Sequence, residues 1–313
     1  MAKTPIANFW SQLNRPILAL APMAGLTDSA FRLVCRQWGA GVVYSEMASV
    51  TALAYNPKKT LEMLKFSEQE RPYVVQLFGS NPEHFKQAVK MVEKEIKPDG
   101  IDINFGCPAK KVLRQGAGAC LMDNLPLARQ IIEAALDSAS VPVSIKTRRK
   151  VGKTDILSFL NFVSDLPLAA LMVHGRSLNE GFSGEVDFGL LAKCRQHFRG
   201  IFLVNGGIFD WRTAHLALKA SGADGVGIAR GAVGRPWIFK EIKEKRDQKV
   251  NPCEVAYQHT KLAWEFKGEG GIIEMRKHLA AYVKGLPGAR ALRQRLVQVK
   301  ELEEIREILL GSL

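Results

Sequence analysis

Short apolar runs recur along the first three quarters of the chain, with room for a helix between each run and the next. Most of them are nearly continuous in apolar residues and do not alternate with polar ones, which is typical of parallel strands buried on both faces. The eight runs occupy residues 17–21, 42–44, 73–78, 101–103, 141–145, 169–173, 201–204 and 226–229. The pattern therefore predicts eight buried strands.

Amphipathic segments lie between the runs and carry helix boundary signals. Segment 29–38 follows Asp28, segment 82–96 follows Asn81, and segment 210–220 ends before Gly222. Asp and Asn are favoured helix N-caps, and glycine commonly follows the last helical turn. Eight strand–helix repeats over about 240 residues match the size of a (β/α)8 TIM barrel. We therefore expect an α/β fold, with the barrel domain at residues 1–244.

The pattern changes beyond residue 244, where no further strand is predicted. The dipeptide Asn251–Pro252 suggests a linker, and segments 255–266, 275–283 and 290–310 are predicted as helices. We expect residues 245–313 to form a smaller, all-helical C-terminal domain. Between Met275 and Lys300 there is no acidic residue. The basic residues there are Arg276, Lys277, Lys284, Arg290, Arg293, Arg295 and Lys300. A segment that carries only positive charges favours contact with a phosphate backbone.

Mostly polar residues follow the predicted strands, at the positions where a barrel enzyme places its site. They are Pro22, Met23, Glu46, Gln76, Asn104, Lys146, Arg148, His174, Asn205 and Arg230. In a TIM barrel the ends of all eight strands meet on one face, so these residues are expected to converge. Glycine-rich segments at 205–207 and 228–236 follow the seventh and eighth strands, which predicts a bound phosphate there.

The segment NFGCPAKKV at 104–112 places a lone cysteine, Cys107, in a predicted turn at a strand end. Gly106 and Pro108 favour a turn that can direct the thiol into a cavity. A cysteine in such a place is a candidate for proton or nucleophile chemistry. A free cysteine is otherwise often a small buried apolar residue. The turn and the neighbouring Lys110 and Lys111 favour the chemical interpretation.

The charge of the chain indicates its partner. The net charge is +13 over 313 residues, which suggests nucleic acid first, an anionic membrane second, or simply a soluble surface. The five cysteines show no CxxC spacing, which argues against zinc, iron–sulfur clusters and a disulfide framework, so we expect no metal. The first apolar run is short and ends at Pro22, and no run approaches about 18 residues, so we expect a cytoplasmic protein without a membrane span.

These motifs together resemble the bacterial tRNA-dihydrouridine synthases over essentially the whole chain. The matching segments are APMAGLTDSAFR at 21–32, VQLFG at 75–79, DINFGCPAKKV at 102–112, SIKTR at 144–148, VHGR at 173–176, NGGI at 205–208 and RGAVGRPWIF at 230–239. The resemblance implies an FMN-binding TIM barrel followed by a helical tRNA-binding domain. NFGCPAKKV is more like the B-type enzymes and IFDW at 208–211 more like the C type, which leaves the subgroup open. We expect a monomer.

The resemblance also implies a reaction and a role for each matching residue. The C5–C6 double bond of a tRNA uridine is reduced, NADPH first reducing FMN, with hydride delivered to C6 and a proton from Cys107 to C5. The residues implied or predicted to bind FMN are Pro22, Met23, Ala24, Gln76, Lys146, His174, Asn205, Gly206, Gly207, Ala229 and Arg230. Those expected to contact tRNA are Asn104, Lys110, Lys111, Arg148, Arg176, Arg276, Lys277, Arg290, Arg293 and Arg295. An unperturbed thiol, with a pKa of about 8.5, is mostly protonated at neutral pH, as an acid requires.

Two positions depart from the family pattern. Ala229 stands where a glycine usually precedes the arginine of the last phosphate loop, and Gly207 stands where an acidic residue is common. An alanine restricts the backbone more than glycine does. The departures concern the phosphate geometry and leave the proposed chemistry untouched.

Three other functions fit part of the pattern. A flavin-dependent barrel acting on a free pyrimidine, as dihydroorotate dehydrogenase does, leaves the basic tail without a purpose. A non-catalytic RNA-binding protein accounts for the charge but not for the convergent strand-end residues. A synthase acting on another RNA is the hardest to separate, because the motifs address the flavin more than the RNA.

Overall fold

The computed structural model describes residues 8–181 and 183–311, and its centre is a closed barrel of parallel strands. The strands are β1 Ile17–Leu20, β2 Val42–Tyr44, β3 Tyr73–Phe78, β4 Gly100–Asn104, β5 Val143–Arg148, β6 Ala170–His174, β7 Ile201–Asn205 and β8 Gly225–Ile228. Each strand pairs in parallel with the next, and β8 pairs with β1 to close the ring. The (β/α)8 prediction is confirmed, with strand ends shifted by one or a few residues.

Helices surround the barrel, and their boundaries follow the predicted caps. They are α1 Ser29–Gln37, α2 Val50–Tyr55, α3 Lys58–Leu64, α4 Pro82–Glu95, α5 Lys110–Leu113, α6 Ala119–Met122, α7 Leu125–Ser138, α8 Ile156–Phe162, α9 Phe188–His197, α10 Trp211–Ser221 and α11 Ile238–Glu244. Asp28 accepts a hydrogen bond from Phe31 N, and Asn81 accepts from Glu83 N and His84 N. Gly222 ends α10 in the left-handed conformation, with φ at +64°.

Several shorter elements complete the barrel region. A two-residue strand, Ala48–Ser49, extends the pairing at the end of β3, and Lys150–Val151 forms a small antiparallel hairpin with Thr154–Asp155. Single 3-10 turns occur at Phe9–Gln12, Glu68–Glu70 and Arg230–Ala232.

Two apolar layers hold the barrel together. The outer layer lies between strands and helices and includes Phe31, Phe85 and Phe202, all fully buried. Each such side chain contributes about 1.5–3 kcal/mol through its removal from water. The inner layer fills the lower barrel with residues such as Tyr44 and Met172, and Trp10 packs against it. Toward the carboxyl ends of the strands the inward positions become polar, which opens the interior for a site.

The C-terminal region is helical and forms its own apolar cluster. Its helices are α12 Pro252–Lys267, α13 Glu269–Tyr282, α14 Ala289–Leu296 and α15 Leu302–Leu310. The cluster also includes Ala30 and Val34 of α1 and Trp237, so these helices pack directly against the barrel layer. Lys267 of α12 forms an ion pair with Asp28, at 3.1 Å, across the same contact.

Two local predictions about this region are wrong. Segment 290–310 is two helices, because Glu301 starts a new helix by a capping box with Glu304. The carbonyl of Val299 in the break accepts hydrogen bonds from Arg276, at 2.7 and 3.0 Å. Asn251 and Pro252 are not a linker. Asn251 caps α12 and Pro252 is its first residue, a position that suits proline because its missing N–H is not needed there.

Two buried histidines lie where α12 and α13 meet α1. The rings of His259 and His278 lie 5.5 and 4.7 Å from the ring of Phe31. Burial lowers the pKa of His278 to about 4 and that of His259 well below its usual value. Both side chains are therefore neutral at neutral pH.

Candidate active site

One cavity opens at the carboxyl ends of the barrel strands and gathers the predicted strand-end residues except Glu46, which does not line it and instead accepts a hydrogen bond from the backbone N–H of Gly25. Its volume is about 380 Å³. The predicted residues that line it are Pro22, Met23, Ala24, Gln76, Asn104, Cys107, Lys146, Arg148, His174, Arg176, Asn205, Gly206, Gly207, Ala229 and Arg230. Residues more than 200 positions apart in the sequence thus line the same cavity, as expected where the strands of a barrel converge.

The loop after β1 forms one wall and is held by a buried ion pair. Arg32 is fully buried and its Nε lies 2.5 Å from the carboxylate of Glu70. Its Nη1 donates to the carbonyl of Thr27, and the Thr27 side chain in turn bonds the backbone of Met23. Removing one member of a buried pair leaves an uncompensated charge, at a cost of about 3–5 kcal/mol. This pair therefore fixes the wall that contains Met23.

A belt of polar side chains crosses three neighbouring strands inside the barrel. The strand register places Gln76 of β3 beside Asp102 of β4, and Asp102 beside Ser144 of β5. Gln76 Nε2 donates to Asp102 Oδ2 at 2.7 Å, and Ser144 Oγ donates to Asp102 Oδ1 at 2.6 Å. All three side chains are buried. Burial raises the pKa of Asp102 to about 6, although the hydrogen bonds from Ser144 and Gln76 oppose this rise.

The belt continues to the turn that carries the thiol. Asn104 Nδ2 donates to Gln76 Oε1 at 2.8 Å, and Asn104 Oδ1 accepts from the backbone N–H groups of Gly106 and Cys107 at 3.0 and 2.9 Å. Arg148 Nε donates to the carbonyl of Gly106 at 2.8 Å. The turn is therefore held from both sides, and Cys107 presents a half-buried free thiol to the cavity.

Lys146 lies beside this turn, on the next strand. Its Nζ donates to Asn205 Oδ1 at 3.3 Å, and Asn205 Nδ2 donates to the carbonyl of Gly227 at 2.7 Å. Burial, reinforced by the nearby Arg148, lowers the pKa of Lys146 to about 8, while Asp102 opposes the shift. The lysine therefore carries a positive charge at pH 7 but loses it more readily than an exposed lysine does.

The loop after β7, together with Arg176 in the loop after β6, forms a candidate anion cradle. Gly206 and Gly207 have φ values of +102° and +75°, which only glycine adopts readily. A Cβ at Gly206 would lie 2.6 Å from the ring of His174, so the backbone approaches the cavity where a side chain cannot. Arg176 Nη1 is buried here and, among the described residues, has no hydrogen-bond partner. An anionic ligand group fits this donor set.

The electrostatics of the cavity favour an anion throughout. Burial, together with the positive charges of Lys146, Arg148, Arg176 and Arg230, lowers the pKa of His174 to about 2. The imidazole is therefore neutral. Ala229, at the glycine position of the family pattern, has a negative φ of −110°, which lies outside the left-handed region that favours glycine.

Seven residues predicted to contact tRNA lie outside the cavity. They are Lys110, Lys111, Arg276, Lys277, Arg290, Arg293 and Arg295. Lys110 and Lys111 are exposed on α5, and the last three are exposed on α14. Arg276 is instead bonded to the break between α14 and α15. Lys277 lies beside the loop after β1, which forms one wall of the cavity. A Cβ atom added at Gly25 in that loop would lie 3.8 Å from Lys277 Nζ.

The sequence interpretation did not assign Asp102, Ser144 or Met47 to the site. Met47 lines the cavity, and its sulfur lies 3.7 Å from Asn104 Nδ2. For Asp102 a signal was present, since a carboxylate in an otherwise apolar strand is costly to bury without partners. Asp102 and Asn104 alternate with isoleucines, which places both on the inward face of β4.

A closed parallel barrel with a cavity at the carboxyl ends of its strands is a (β/α)8 enzyme architecture. Solved structures share this fold. The old yellow enzyme homologue from Zymomonas mobilis superimposes with a TM-score of 0.55 at 13% identity, covering 76% of this chain and 91% of that one. Histamine dehydrogenase from Rhizobium sp. 4-9 gives 0.56 at 14% identity, covering 79% of this chain and 49% of that one.

Sequence comparison assigns the family. The dihydrouridine synthase (Dus) model matches residues 19–311. A probable tRNA-dihydrouridine synthase of Aquifex aeolicus is 33% identical over 302 residues, 92% of this chain and 95% of that protein. The tRNA-dihydrouridine synthase B of Pseudomonas syringae pv. tomato is 35% identical over 298 residues, 91% of this chain and 88% of that protein. The chain belongs to the dihydrouridine synthase family.

The described residues contain neither a membrane-spanning helix nor a metal-binding group. Within residues 8–181 and 183–311, no helix is both long and apolar enough to cross a membrane. In the same part of the chain, His, Cys, Asp and Glu side chains form no group of three or more that would hold a metal ion.

Proposed function

We propose that this protein is a tRNA-dihydrouridine synthase that binds FMN, takes electrons from NADPH and reduces the C5–C6 double bond of a tRNA uridine. One observation carries the proposal. In a chain of this family, a free thiol, a partly buried ammonium group and a candidate anion cradle face the same cavity. We further propose that the enzyme acts as a monomer in the cytoplasm.

The cavity residues fit FMN. The phosphate would be held by the backbone of Gly206 and Gly207, with Arg176 and Arg230 supplying positive charge. The unpartnered Nη1 of Arg176 supports this placement. Gln76 and Lys146 would contact the isoalloxazine ring, where the lysine stabilises negative charge. FMN held there and reduced by NADPH would supply the hydride for C6 of the uracil.

Cys107 would provide the proton that C5 receives. The turn held by Asn104 fixes the position of the thiol, and a positioned acid typically contributes about 10²–10⁴-fold to a rate. Loss of the proton leaves a thiolate. Lys146 and Arg148 both interact electrostatically with Cys107, so the two cations stabilise that negative charge until solvent returns a proton.

The substrate base has to leave its stack to reach the thiol. Base extrusion costs a few kcal/mol and least in an already unpaired loop, so a D-loop uridine is a suitable target. Contacts between exposed basic side chains and tRNA phosphates offset that cost. The proposed contacts are Lys110 and Lys111 on α5, Lys277 on α13 and the exposed arginines of α14.

The experiment combines the cofactor and the substrate. The purified protein is assayed for bound FMN and for NADPH oxidation, and then for dihydrouridine formation in an unmodified tRNA transcript, in the same transcript with its D-loop uridines replaced, and on free orotate. We expect a yellow protein and product only in the first transcript. A colourless protein that does not take up FMN, or turnover of orotate without turnover of tRNA, would contradict the proposal.

A further inference from the structure

The most buried polar group of the site, Asp102, is not explained by the proposed chemistry. Its side chain is fully buried. Its partner Gln76 lines the cavity, but Asp102 does not. It therefore lies one layer below the surface of the cavity. Burying a carboxylate in that position costs free energy unless neighbouring groups donate hydrogen bonds to it.

The hydrogen bonds around Asp102 have a defined direction. Both neighbours donate to it, Gln76 through Nε2 and Ser144 through Oγ. Because Nε2 of Gln76 is directed to Asp102, its Oε1 faces Asn104, which donates to it through Nδ2. Asn104 Oδ1 is then left to accept from the N–H groups of Gly106 and Cys107. Each amide has one orientation that satisfies both of its neighbours.

The acceptor at position 102 and the two backbone N–H donors of the turn favour the same orientations of the Gln76 and Asn104 amides. If Gln76 turned its carboxamide over, its NH2 group would face the NH2 group of Asn104, and Asn104 would turn in response. Its NH2 group would then face the backbone N–H groups of the Cys107 turn, with no acceptor between them. A buried donor without an acceptor costs about 1–3 kcal/mol, so the acceptor at position 102 maintains the turn.

We infer that Asp102 is a positioning residue, which acts through Gln76 and Asn104 to set the orientation of the Cys107 turn and of the Gln76 amide in the cavity. The inference rests on the proposed function for the consequence of that orientation in tRNA reduction. The orientation itself is measurable without turnover. A role in orientation depends on the acceptor oxygen and not on the negative charge.

Two substitutions separate the acceptor from the charge. In Asp102→Asn the amide oxygen can still accept from Gln76, and its NH2 group can donate to Ser144. Ser144 can satisfy that arrangement, because its hydroxyl already lies 3.4 Å from the carbonyl of Ile101 and can donate there. Asp102→Leu removes both acceptors at similar volume. Asp102→Ala removes them while leaving space, for use if the leucine variant does not fold.

The first readout is the alkylation rate of Cys107 by iodoacetamide, followed by peptide mass spectrometry without tRNA. The half-buried free thiol of Cys253, in α12, serves as the reference within the same molecule. We expect Asp102→Asn to change the Cys107 rate by less than about threefold, within the effect of one net hydrogen bond. Asp102→Leu or Asp102→Ala should change it by more than that, because the Asn104 side of the turn is no longer held and only the Arg148 bond remains.

The second readout is tRNA reduction, measured as kcat and KM. A misplacement of about 1 Å can cost on the order of 100-fold in rate, so we expect kcat of the leucine or alanine variant to fall at least about tenfold with little change in KM for tRNA. The asparagine variant should stay within about threefold of wild type in kcat. Asp224→Asn, which alters a buried carboxylate at the amino end of the barrel, is the control for lost stability alone.

Three results would contradict the inference. Cys107 alkylation and kcat of the leucine or alanine variant could match wild type, which would make Asp102 dispensable. The asparagine variant could be as impaired as the leucine variant, which would assign the effect to charge. Asp224→Asn could cause the same loss of kcat, which would assign it to stability. If wild-type protein reduces no tRNA, the proposed function fails, and the alkylation series still decides the role of Asp102.

Discussion

The cationic side chains of the barrel cavity and those of α14 differ in burial and in hydrogen bonding. In the barrel cavity Lys146 and Arg148 are largely buried, and burial lowers the pKa of both. Lys146 donates a hydrogen bond to Asn205 Oδ1, and Arg148 donates one to the carbonyl of Gly106. On α14 the side chains of Arg290, Arg293 and Arg295 are exposed, and none of the ion pairs found among the described residues includes them.

The contrast separates two kinds of recognition. A buried, bonded cation acts at one position, and its loss leaves partners unsatisfied. An exposed cation acts through a field that water and salt screen, so its effect is smaller and depends on ionic strength. The cavity is therefore expected to govern chemistry and the cofactor, and the C-terminal helices are expected to govern affinity for the polyanion. The predictions below test that division.

The largest effect is expected from Cys107→Ala. Because the thiol is the proposed acid, dihydrouridine formation should fall by about 10²–10⁴-fold. Reduction of bound flavin by NADPH should stay close to wild type, since that step does not use the thiol. The two rates are measured separately by stopped-flow absorbance and by mass spectrometry of tRNA. Cys120→Ala, at a nearby half-buried thiol, is the matched control. Wild-type tRNA turnover in Cys107→Ala would exclude the thiol as the acid.

A smaller but still large effect is expected at Lys146. Loss of a charged hydrogen-bond partner worth about 1.5–3 kcal/mol should weaken FMN binding by roughly 10–100-fold in Lys146→Ala. Fluorescence titration of the flavin measures this. Lys110→Ala, an exposed lysine on α5 outside the cavity, should bind FMN normally. Stoichiometric, tightly bound FMN in Lys146→Ala would remove the lysine from the cofactor site.

The pKa of Lys146 gives the same site a pH signature. That pKa is lowered to about 8, so the ammonium group loses its proton as pH rises through about 8. Flavin reduction by NADPH should therefore decline above that pH. Arginine keeps its charge in this range, so Lys146→Arg should move the decline to higher pH wherever the variant retains FMN. An unchanged pH profile in Lys146→Arg would assign the decline to another group.

An intermediate, salt-dependent effect is expected on α14. Reversing Arg290, Arg293 and Arg295 to glutamate should weaken tRNA binding and leave FMN content and NADPH oxidation unchanged. Each lost phosphate contact removes about 0.7–0.9 from the slope of log affinity against log salt, so three contacts remove about 2. Lys90, Lys94 and Lys97, exposed near the carboxyl end of α4, are the matched control reversal. An unchanged affinity and slope would move the RNA contacts to Lys110, Lys111, Arg148 and Arg149.

The smallest effect at neutral pH is expected at His259 and His278, the buried histidines where α12 and α13 meet α1. The pKa of His278 is lowered to about 4 in the folded chain, against about 6.5 when unfolded. The unfolded chain therefore takes up a proton first, and stability falls as pH drops from about 6.5 toward 4, by at most about 1.4 kcal/mol per pH unit. Urea unfolding of wild type and His278→Gln over this range isolates the contribution. Parallel pH curves would show that His278 does not contribute.

Much of the cavity was predictable because a TIM barrel brings the residues that follow each strand to the same face of the fold. Gln76, Lys146, His174 and Asn205 each follow an apolar run, and the meeting of strand ends brings them together without further information. The glycines at 206 and 207 were predictable for a related reason, since the loops after the last two strands are the usual phosphate site. The family motifs then narrowed the chemistry.

Other features depend on contacts that spacing does not reveal. The role of Asp102 follows from its cross-strand register with Gln76 and Ser144, which is fixed only when the barrel closes. The break between α14 and α15 depends on Arg276, more than 20 residues earlier, bonding the carbonyl of Val299. The approach of Lys277 to Gly25 depends on how α13 packs beside the loop after β1.

The most direct test of the central claim is to map dihydrouridine in the tRNA of a strain that lacks this gene. Mass spectrometry would be compared among the deletion strain and the same strain carrying either the wild-type gene or Cys107→Ala. The proposed function predicts that one or more D-loop positions revert to uridine on deletion, that the wild-type gene restores dihydrouridine there, and that Cys107→Ala does not. A dihydrouridine pattern that is unchanged by the deletion, in a strain where no other synthase acts on the same positions, would contradict the claim.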